Sequence, residues 1–545
     1  MIPEAAATLA TCIVVVFLIR WIHTQWLHPF PGNPHKLPLP PGPQPRVIVG
    51  NLQDLPTGGR EWDGYAALAQ RFKSDIIYLR VLGTSILSLN SYHVANELLN
   101  QRGAVWSDRP RLPMIKELMG WDWNLVLQSY NEGFAAHRRI VQQHFQPGVV
   151  SGQYRPVMKF EVKVLLQNLL VAPARFPDHL KRYVWIRFLF IAPEASRAKF
   201  SMAGAIIMMV TYGHRVCTDD DPFVQLAEEV RRGSEGTPGA ALVDTMPILK
   251  YLPSWIAPFK RLALSKRGLS VKMREAPFLM VKEQLAAGNA VPSMVSSLLE
   301  DESRPNDGSD EELIKNCGGV VYSAGADTTA TALTNFFLAM CLYHDVQRRA
   351  HTELDTVVGR GRLPDFADRE KLPYVGAILK ETLRWKAVTP LGLNRRAEIV
   401  IIDHTSGVPH CTTEVDEYRG RHIPAKTTVL PNISAMLHDR EVYADPDEFK
   451  PDRFIPQGTE HVAPDPARAA FGFGRRICPG RYFADDSIWI AISNILHVFS
   501  IRSPDAGIKQ SDVQWSSGLV SIPSAFSCDI QPRFEGAVNL VGEDS

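Results

Sequence analysis

One short segment near the C-terminus constrains this chain most: residues 471–480, with the sequence FGFGRRICPG. A single cysteine, Cys478, lies between a glycine-rich basic loop and a Pro-Gly pair, and the apolar run that follows predicts a helix over 483–498. Glycines allow such a loop to turn tightly and to approach a flat ligand closely. Backbone N–H groups of the loop and of the helix N-terminus can stabilise negative charge on sulfur. The arrangement is typical of a thiolate that binds a metal.

A lone cysteine is more often simply a buried side chain. Here, however, the whole pattern Phe-x-x-Gly-x-Arg-x-Cys-x-Gly is present, and it resembles the haem-ligand signature of the cytochrome P450 family. The resemblance implies that Cys478 is the axial thiolate ligand of the iron of haem b and that Arg476 binds a haem propionate. It also implies that Phe471 packs beside the ligand loop, while Gly474 and Gly480 permit close approach of the backbone.

A second motif, AGADTT at 324–329, lies in a helical run over 313–343. Gly325 weakens a helix by roughly 1 kcal/mol relative to alanine, and the Thr328 hydroxyl can bond to a backbone carbonyl, so together they can open a groove. Asp327 and Thr328 form an acid–alcohol pair able to pass protons, although the same residues can simply face water. The motif resembles the oxygen-binding and proton-delivery motif of the family, which implies that role for both.

Glu381 and Arg384 lie three residues apart on a helix predicted over 374–385, which places both on one face. An exposed pair of this kind contributes well under about 1 kcal/mol. In the family, a similar Glu-x-x-Arg pair binds a downstream arginine, which corresponds to Arg453. The resemblance therefore implies a structural role for all three residues.

His137 and Arg138 belong to a basic triplet on a helix predicted over 132–145. A solvated basic face is the commoner role of such a triplet. Arg138 matches a propionate-binding position of the family, and His137 is a candidate for the same cofactor site, although Phe134 occupies a position where tryptophan is usual. The same basic surface is suited to an acidic electron donor.

The resemblance also implies a largely apolar substrate pocket on the distal side of the haem. Its candidate walls are the segments 111–126 and 518–522 together with Val320, Ala324, Val388, Leu519 and Val520.

Residues 5–21 form an almost wholly apolar run, at the short end of the roughly 17–25 residues that span a bilayer. A cleaved signal peptide is the alternative, but no basic residue precedes the run. Positive charge follows it, which favours a cytosolic location for the rest of the chain. We expect an anchor at 1–24 in the endoplasmic reticulum membrane, a proline-rich hinge at 25–45 and one catalytic domain at 46–545.

Composition excludes other classes of protein. A net charge of +1 argues against a nucleic-acid-binding protein that depends on bulk charge. Seven cysteines are scattered without C-x-x-C pairs, which favours reduced thiols over a disulfide framework or a zinc site.

Two segments, 184–202 and 393–407, split sequence that otherwise resembles the family. Neither carries the turn residues of a tolerated surface loop. They are interpreted either as translated introns or as lineage-specific loops.

The expected fold is mainly α with a small β-rich region, since 76–89 alternates and is rich in β-branched residues. By resemblance, the function is that of a haem-thiolate monooxygenase that inserts one atom of O2 into an apolar organic substrate. Electrons would come from NADPH through a reductase, and the context would be fungal secondary metabolism, such as terpenoid or polyketide tailoring. The alternatives are a haem-thiolate isomerase or dehydratase, and a haem-free relative without catalytic activity.

Overall fold

The computed structural model describes residues 32–542, except 58–59, 181–201, 217–220, 235–239, 305–307, 392–407, 457–461, 505–507 and 517–519. The expected anchor (1–24), the first part of the hinge and both interrupting segments lie outside the described residues, apart from Met202. Within the described part, no helix has the length and apolar character needed to cross a membrane.

The architecture is mainly helical, as the sequence predicts. The α-helices span Glu61–Phe72, Tyr92–Ala95, Gly103–Trp106, Glu132–His144, Pro147–Val149, Arg155–Val171, Phe176–Leu180, Met202–Tyr212, Pro222–Ser234, Ala240–Thr245, Pro258–Ala286, Met294–Leu299, Gly308–Leu342, His344–Val357, Pro373–Trp385, Ile433–Leu437, Ala467–Ala470, Arg481–Val498 and Ala537–Gly542. Short 3₁₀ or π segments span Leu52–Asp54, Asn96–Gln101, Pro113–Leu118, Val150–Tyr154, Pro173–Arg175, Pro247–Tyr251, Phe366–Lys371, Pro451–Phe454, Gly474–Arg476 and Gln510–Asp512.

The strands form three small sheets. They are β1 (Ile76–Val81), β2 (Thr84–Leu89), β3 (His410–Cys411), β4 (Asp416–Tyr418), β5 (Arg421–Ile423), β6 (Thr428–Pro431), β7 (Phe499–Arg502) and β8 (Asp529–Pro532). The largest sheet has the order β1-β2-β6-β3, in which β1 and β2 are antiparallel and β2 and β6 are parallel. The alternating stretch 76–89 thus forms the antiparallel pair that its pattern predicts.

Gly308–Leu342, called the long helix below, runs through the centre of the molecule. Residues 329–341 of this helix are buried on all sides, and Phe336 and Phe337 are completely buried, which is typical of a helix inside a large core. It packs against Glu132–His144, Met202–Tyr212 and Arg481–Val498. The two motifs of the sequence are thereby held on elements that contact one another.

Candidate functional site

The cysteine loop is folded by its own backbone. The Cys478 N–H donates to the Phe471 carbonyl at 2.8 Å, and the Ile477 N–H donates to the Gly474 carbonyl at 3.1 Å. Gly474 has a φ of +55°, and a Cβ at this position would lie 2.0 Å from the Leu99 carbonyl oxygen. Only glycine satisfies both the conformation and the close approach, which accounts for this glycine of the motif.

Burial and nearby donors act in opposite directions on the Cys478 sulfur. It is partly exposed, whereas the other four cysteines of the described part are buried. Burial of the thiol raises its pKa, and the Gly480 N–H and the charges of Arg138 and Arg481 partly offset that rise. A metal cation at the sulfur would favour the thiolate further. Gly480 is also the N-cap of the helix Arg481–Val498, as the sequence predicts for the residues that follow the cysteine.

Arg476 extends from this loop into a buried site. Its Nε donates to the Ser107 carbonyl at 2.8 Å and its Nη2 donates to the Gln128 carbonyl at 2.8 Å. Its Nη1 is buried and has no hydrogen-bond partner among the described residues. Burial lowers the pKa of the guanidinium to about 10. A buried donor without a partner costs about 1–3 kcal/mol or more when charged, so this atom points to an anionic ligand.

Arg138 reaches the same loop from the helix Glu132–His144, whose first turn is capped by the Asn131 side chain. Its Nη2 donates to the Ile477 carbonyl at 2.5 Å, one residue from Cys478. Burial lowers its pKa, and the neighbouring Cys478 acts in the opposite direction. The helix therefore places this cation beside Cys478, the predicted metal ligand.

His137, the other candidate on this helix, faces elsewhere. Its Nδ1 lies 2.7 Å from the Gly133 carbonyl oxygen, and its Nε2 lies 3.3 Å from the Asn316 side-chain nitrogen on the long helix. Since Nδ1 donates to the carbonyl, Nε2 is left to accept from Asn316, and the ring is neutral. The structure thus uses both ring nitrogens of His137 to join two helices, away from the Arg138 contact.

Arg109 also lies beside this site, and the sequence analysis did not identify it. Its Nε donates to the Val126 carbonyl at 2.9 Å, and its Nη1 donates to the carbonyls of Val408 at 2.9 Å and Pro409 at 2.8 Å. Burial lowers the pKa of this guanidinium well below its usual value, and the charge of Arg476 acts in the same direction. One side chain thereby joins three segments that are distant in sequence.

His410, at the start of β3, is a second residue that sequence reasoning missed. Its Nδ1 lies 2.9 Å from the Trp106 carbonyl oxygen. Burial lowers the pKa of its imidazole to about 3, and the charges of Arg109 and Arg476 contribute. A neutral ring with Nδ1 as donor leaves Nε2 as an acceptor, and a protonated ring would donate from both nitrogens.

These residues form one group, which we call the anion cradle: Arg109, Arg138, His410 and Arg476. Over the residues that the structure describes, none of its three guanidiniums has a carboxylate within ion-pair distance. The nearby carboxylate of Asp108 is already bound by the Tyr130 amide and by Lys426. Buried cations without a protein anion fit a ligand that carries carboxylates. The residues present therefore fit a haem whose iron meets Cys478 and whose propionates meet the cradle.

The residues of the AGADTT motif (324–329) lie on an unbroken stretch of the long helix. Thr328 Oγ1 donates to the Ala324 carbonyl at 3.1 Å, as the sequence predicts, and Ala324 itself is exposed. Asp327 and Thr328 are half-buried. The helix is continuous through Gly325. A Cβ there would lie 2.6 Å from Ile207, so the glycine provides room for the neighbouring helix.

The candidate pocket walls lie on converging segments. The Val388 carbonyl accepts from the Ser521 N–H at 2.9 Å, which brings Val520 beside it, while Leu519 lies outside the described residues. Val320 is buried in the long helix. Just before it, a Cβ on Gly319 would lie 2.8 Å from the Trp123 ring, so the 111–126 segment packs directly on this helix.

Glu381 and Arg384 form no surface pair; both side chains are completely buried. Arg384 donates to both carboxylate oxygens of Glu381, at 2.7 and 2.9 Å, and to the Leu437 carbonyl at 3.0 Å. Arg453 donates to the same carboxylate at 3.2 Å, and the Lys450 N–H donates to it at 2.8 Å. The structure thus brings together the three residues that the sequence predicts to interact.

Comparison with known proteins shows the family of this chain. The family model described as Cytochrome P450 matches residues 40–529. The chain is 37% identical to a cytochrome P450 monooxygenase of Armillaria gallica over 99% of both chains, and 36% identical to the cytochrome P450 monooxygenase ple1 of Rhodocybe pseudopiperita over 99% of this chain and 96% of that one. It is also 36% identical to cytochrome P450 monooxygenase 208 of Postia placenta over 92% of each. With the cysteine loop, the cradle and a family match over most of its length, this chain belongs to the cytochrome P450 family.

Proposed function

We propose that this protein is a haem-thiolate monooxygenase that hydroxylates or epoxidises an apolar organic molecule in fungal secondary metabolism. The observation that carries the proposal is the placement of Cys478 near guanidiniums that are buried or half-buried and have no carboxylate within ion-pair distance among the described residues. When bound, the haem supplies oxygen activation, and a thiolate ligand favours O–O cleavage. The relatives named above are fungal monooxygenases, which supports the reaction class.

The protein's own residues have separable tasks in this reaction. Cys478 is held by its backbone bond to Phe471, and the Gly480 N–H moderates the charge on its sulfur. Arg476, with its free Nη1, and Arg138 orient the acidic edge of the cofactor. Asp327 and Thr328 relay protons from the helix that flanks the pocket, and the apolar side chains of Val320 and its neighbours exclude water.

The reaction class is tested by the origin of the oxygen atom. Membranes that contain this chain and an NADPH-dependent reductase are supplied with isotopically labelled dioxygen and a panel of terpene and aromatic compounds. A product that gains one labelled oxygen atom and requires NADPH supports the proposal. A product that is an isomer or a dehydrated form of its substrate, formed without NADPH, would establish the isomerase or dehydratase instead.

The role of Thr328 is tested by Thr328→Val, with Thr331→Val as a matched control. Thr331 makes the same type of bond, from Oγ1 to the Asp327 carbonyl at 2.8 Å, but is completely buried. Loss of proton delivery should lower the product formed per NADPH consumed by about 10-fold or more, with hydrogen peroxide released instead. If the two variants formed the same amount of product per NADPH consumed, the role of Thr328 in proton delivery would be contradicted.

An acidic reductase is the proposed electron donor. Arg139 and Arg475 are exposed, and each directly follows or precedes an arginine of the cradle. Charges of this kind accelerate association with an acidic partner and are screened by salt. Arg139→Glu combined with Arg475→Glu should slow reductase-dependent haem reduction and reduce its dependence on salt, while dithionite still reduces the haem.

Association with the endoplasmic reticulum membrane is likewise proposed. Four large apolar residues between the helices Ala240–Thr245 and Pro258–Ala286 are 51–78% exposed: Ile248, Tyr251, Trp255 and Ile256. An exposed apolar group of this size is typical of contact with a lipid surface. If 1–24 is an anchor, its deletion should weaken membrane association, and Trp255→Glu in the deleted chain should weaken it further in a flotation assay.

A further inference from the structure

Two cysteines outside the haem site meet in the core. Cys341 is the penultimate residue of the long helix, and Cys528 directly precedes β8. Their sulfur atoms lie 3.1 Å apart although 187 residues separate them in sequence. Both side chains are buried, with 3% and 7% of their surface exposed.

The backbone on each side of this pair is fixed. Just beyond the long helix, Gln347 exchanges two hydrogen bonds with the backbone of Ile501 in β7, at 2.8 and 2.7 Å. β7 in turn pairs with β8, with Arg502 opposite Asp529. The two sulfurs are therefore presented to one another by anchored elements, with little conformational entropy left to lose on forming a bond.

We propose that Cys341 and Cys528 form an oxidisable dithiol site that hydrogen peroxide converts into a disulfide. One thiolate attacks the peroxide O–O bond and gives a sulfenic acid and hydroxide. The second thiol then attacks that sulfur, forms the S–S bond and releases water. In sum, two thiols and one peroxide give one disulfide and two waters, and the sulfurs lose two electrons to the peroxide.

The surroundings define how this site should behave. Burial raises the pKa of Cys528, with a contribution from its contact with Cys341. The thiolate fraction is therefore small at neutral pH, and the oxidation should accelerate as pH rises. The disulfide would join the end of the long helix to the C-terminal sheet and close a long loop, which stabilises a fold chiefly by restricting the unfolded chain.

The chain contains matched controls. Cys317 and Cys411 are also buried, but their sulfurs donate to the backbone carbonyls of His137 at 3.7 Å and Thr412 at 3.6 Å. Neither has a second sulfur within contact distance in the described ranges. Under the same oxidant they should remain alkylatable thiols or proceed slowly to higher oxides.

The test uses the purified full-length holoenzyme, treated with stoichiometric hydrogen peroxide, denatured in an alkylating agent and digested without reduction. The expected result is one peptide pair joined through Cys341 and Cys528 with the loss of two hydrogen atoms, formed faster at higher pH. The melting temperature should rise by several degrees and return after reduction. Cys411→Ser should show the same cross-link and shift, and Cys341→Ser and Cys528→Ser should show neither.

The proposal would be overturned if Cys341 and Cys528 were alkylated as free thiols at the rate of Cys317 and Cys411. Cross-links distributed among other cysteines would also overturn it. Because the cross-link is read on unmodified protein, a variant that fails to fold does not obscure the result. The measurement also involves neither substrate nor turnover, so it is independent of the proposed monooxygenase activity.

Discussion

Two regions of the described part of this protein each bring several arginines together, and their binding partners differ. In the first, Arg384 and Arg453 bind the Glu381 carboxylate, and backbone groups occupy the remaining positions around it. In the second, the anion cradle, the hydrogen bonds of Arg476 and Arg109 go to backbone carbonyls, and the Arg476 guanidinium also lies 3.8 Å from the centre of the Phe134 ring. Arg476 Nη1 has no hydrogen-bond partner among the described residues. The first region contains a carboxylate that both of its arginines bind, and the second contains none within ion-pair distance among the described residues.

This difference separates structural groups from binding groups. A buried ion pair with all its hydrogen bonds made serves the fold, and removing one member leaves an uncompensated charge. Buried cations without a protein anion are maintained at a cost that a ligand can offset. The same residue type therefore has two functions, distinguished by whether the protein supplies the counter-ion.

The largest effect on stability is expected from Glu381→Gln in the first region, where Arg384 and Arg453 bind this carboxylate. It leaves Arg384 completely buried beside a second arginine without a carboxylate, which costs about 3–5 kcal/mol. The free energy of unfolding, measured by chemical denaturation, should fall by that amount with or without haem. A change below about 1 kcal/mol would mean that the network is not structural.

Arg476→Met should give the opposite pattern. It removes a charge that has no carboxylate partner, so the haem-free protein should lose far less stability than it does with Glu381→Gln. Haem affinity should fall by about 10- to 100-fold, since a hydrogen bond to a charged group contributes about 1.5–3 kcal/mol.

The matched control for that variant is Arg475→Met. Arg475 is adjacent and exposed, and its guanidinium lies 4.9 Å from the centre of the Tyr130 ring. The haem affinity of the Arg475→Met variant, measured by transfer of haem to apomyoglobin, should be almost that of the unmodified protein. Equal losses in both variants would remove Arg476 from the cradle.

The smallest effect concerns a histidine in each region. Burial lowers the pKa of His410, beside Arg109 and Arg476, to about 3, and that of His438, beside Arg384, to about 4. The pKa of a histidine in the unfolded chain is about 6.5. Between that pH and the folded-state pKa, the unfolded chain therefore binds more protons than the folded protein. Each histidine therefore makes the fold less stable as pH falls from about 6.5 towards its folded pKa.

Haem should change only one of these two histidines. Propionates at the cradle would raise the pKa of His410. The loss of folding free energy that this histidine causes at pH 5 would then be smaller, by less than about 1 kcal/mol. Denaturation at pH 7 and pH 5, with and without haem, should show a haem-dependent difference that His410→Gln removes and His438→Gln retains. A difference that survives His410→Gln would place the anion elsewhere.

The sequence was sufficient to identify the candidate site residues that belong to one short, continuous motif. The loop around Cys478 and the long helix carry motifs within ten residues, and their backbone geometry follows from that spacing. Arg109 and His410 could not be identified in this way, because strand β3 and the carbonyls of Val126 and Pro409 bring them to Arg476 from distant parts of the chain.

Burial was also invisible at the sequence level. The i, i+3 spacing of Glu381 and Arg384 fits a surface pair as well as a buried one, and only the packing of Leu437 and Lys450 around them decides between the two. Similarly, the sequence does not show that Gly325 leaves room for the Ile207 side chain of a neighbouring helix.

The most direct test of the central claim, that Cys478 and the cradle hold a haem through its thiolate, is the carbon monoxide difference spectrum. Membranes that contain this chain are reduced with dithionite and compared with and without carbon monoxide. The account predicts a strongly red-shifted Soret band, which Cys478→Ser abolishes and Arg475→Met retains. A band at the position of histidine-ligated haem, or a red-shifted band that persists in Cys478→Ser, would contradict it.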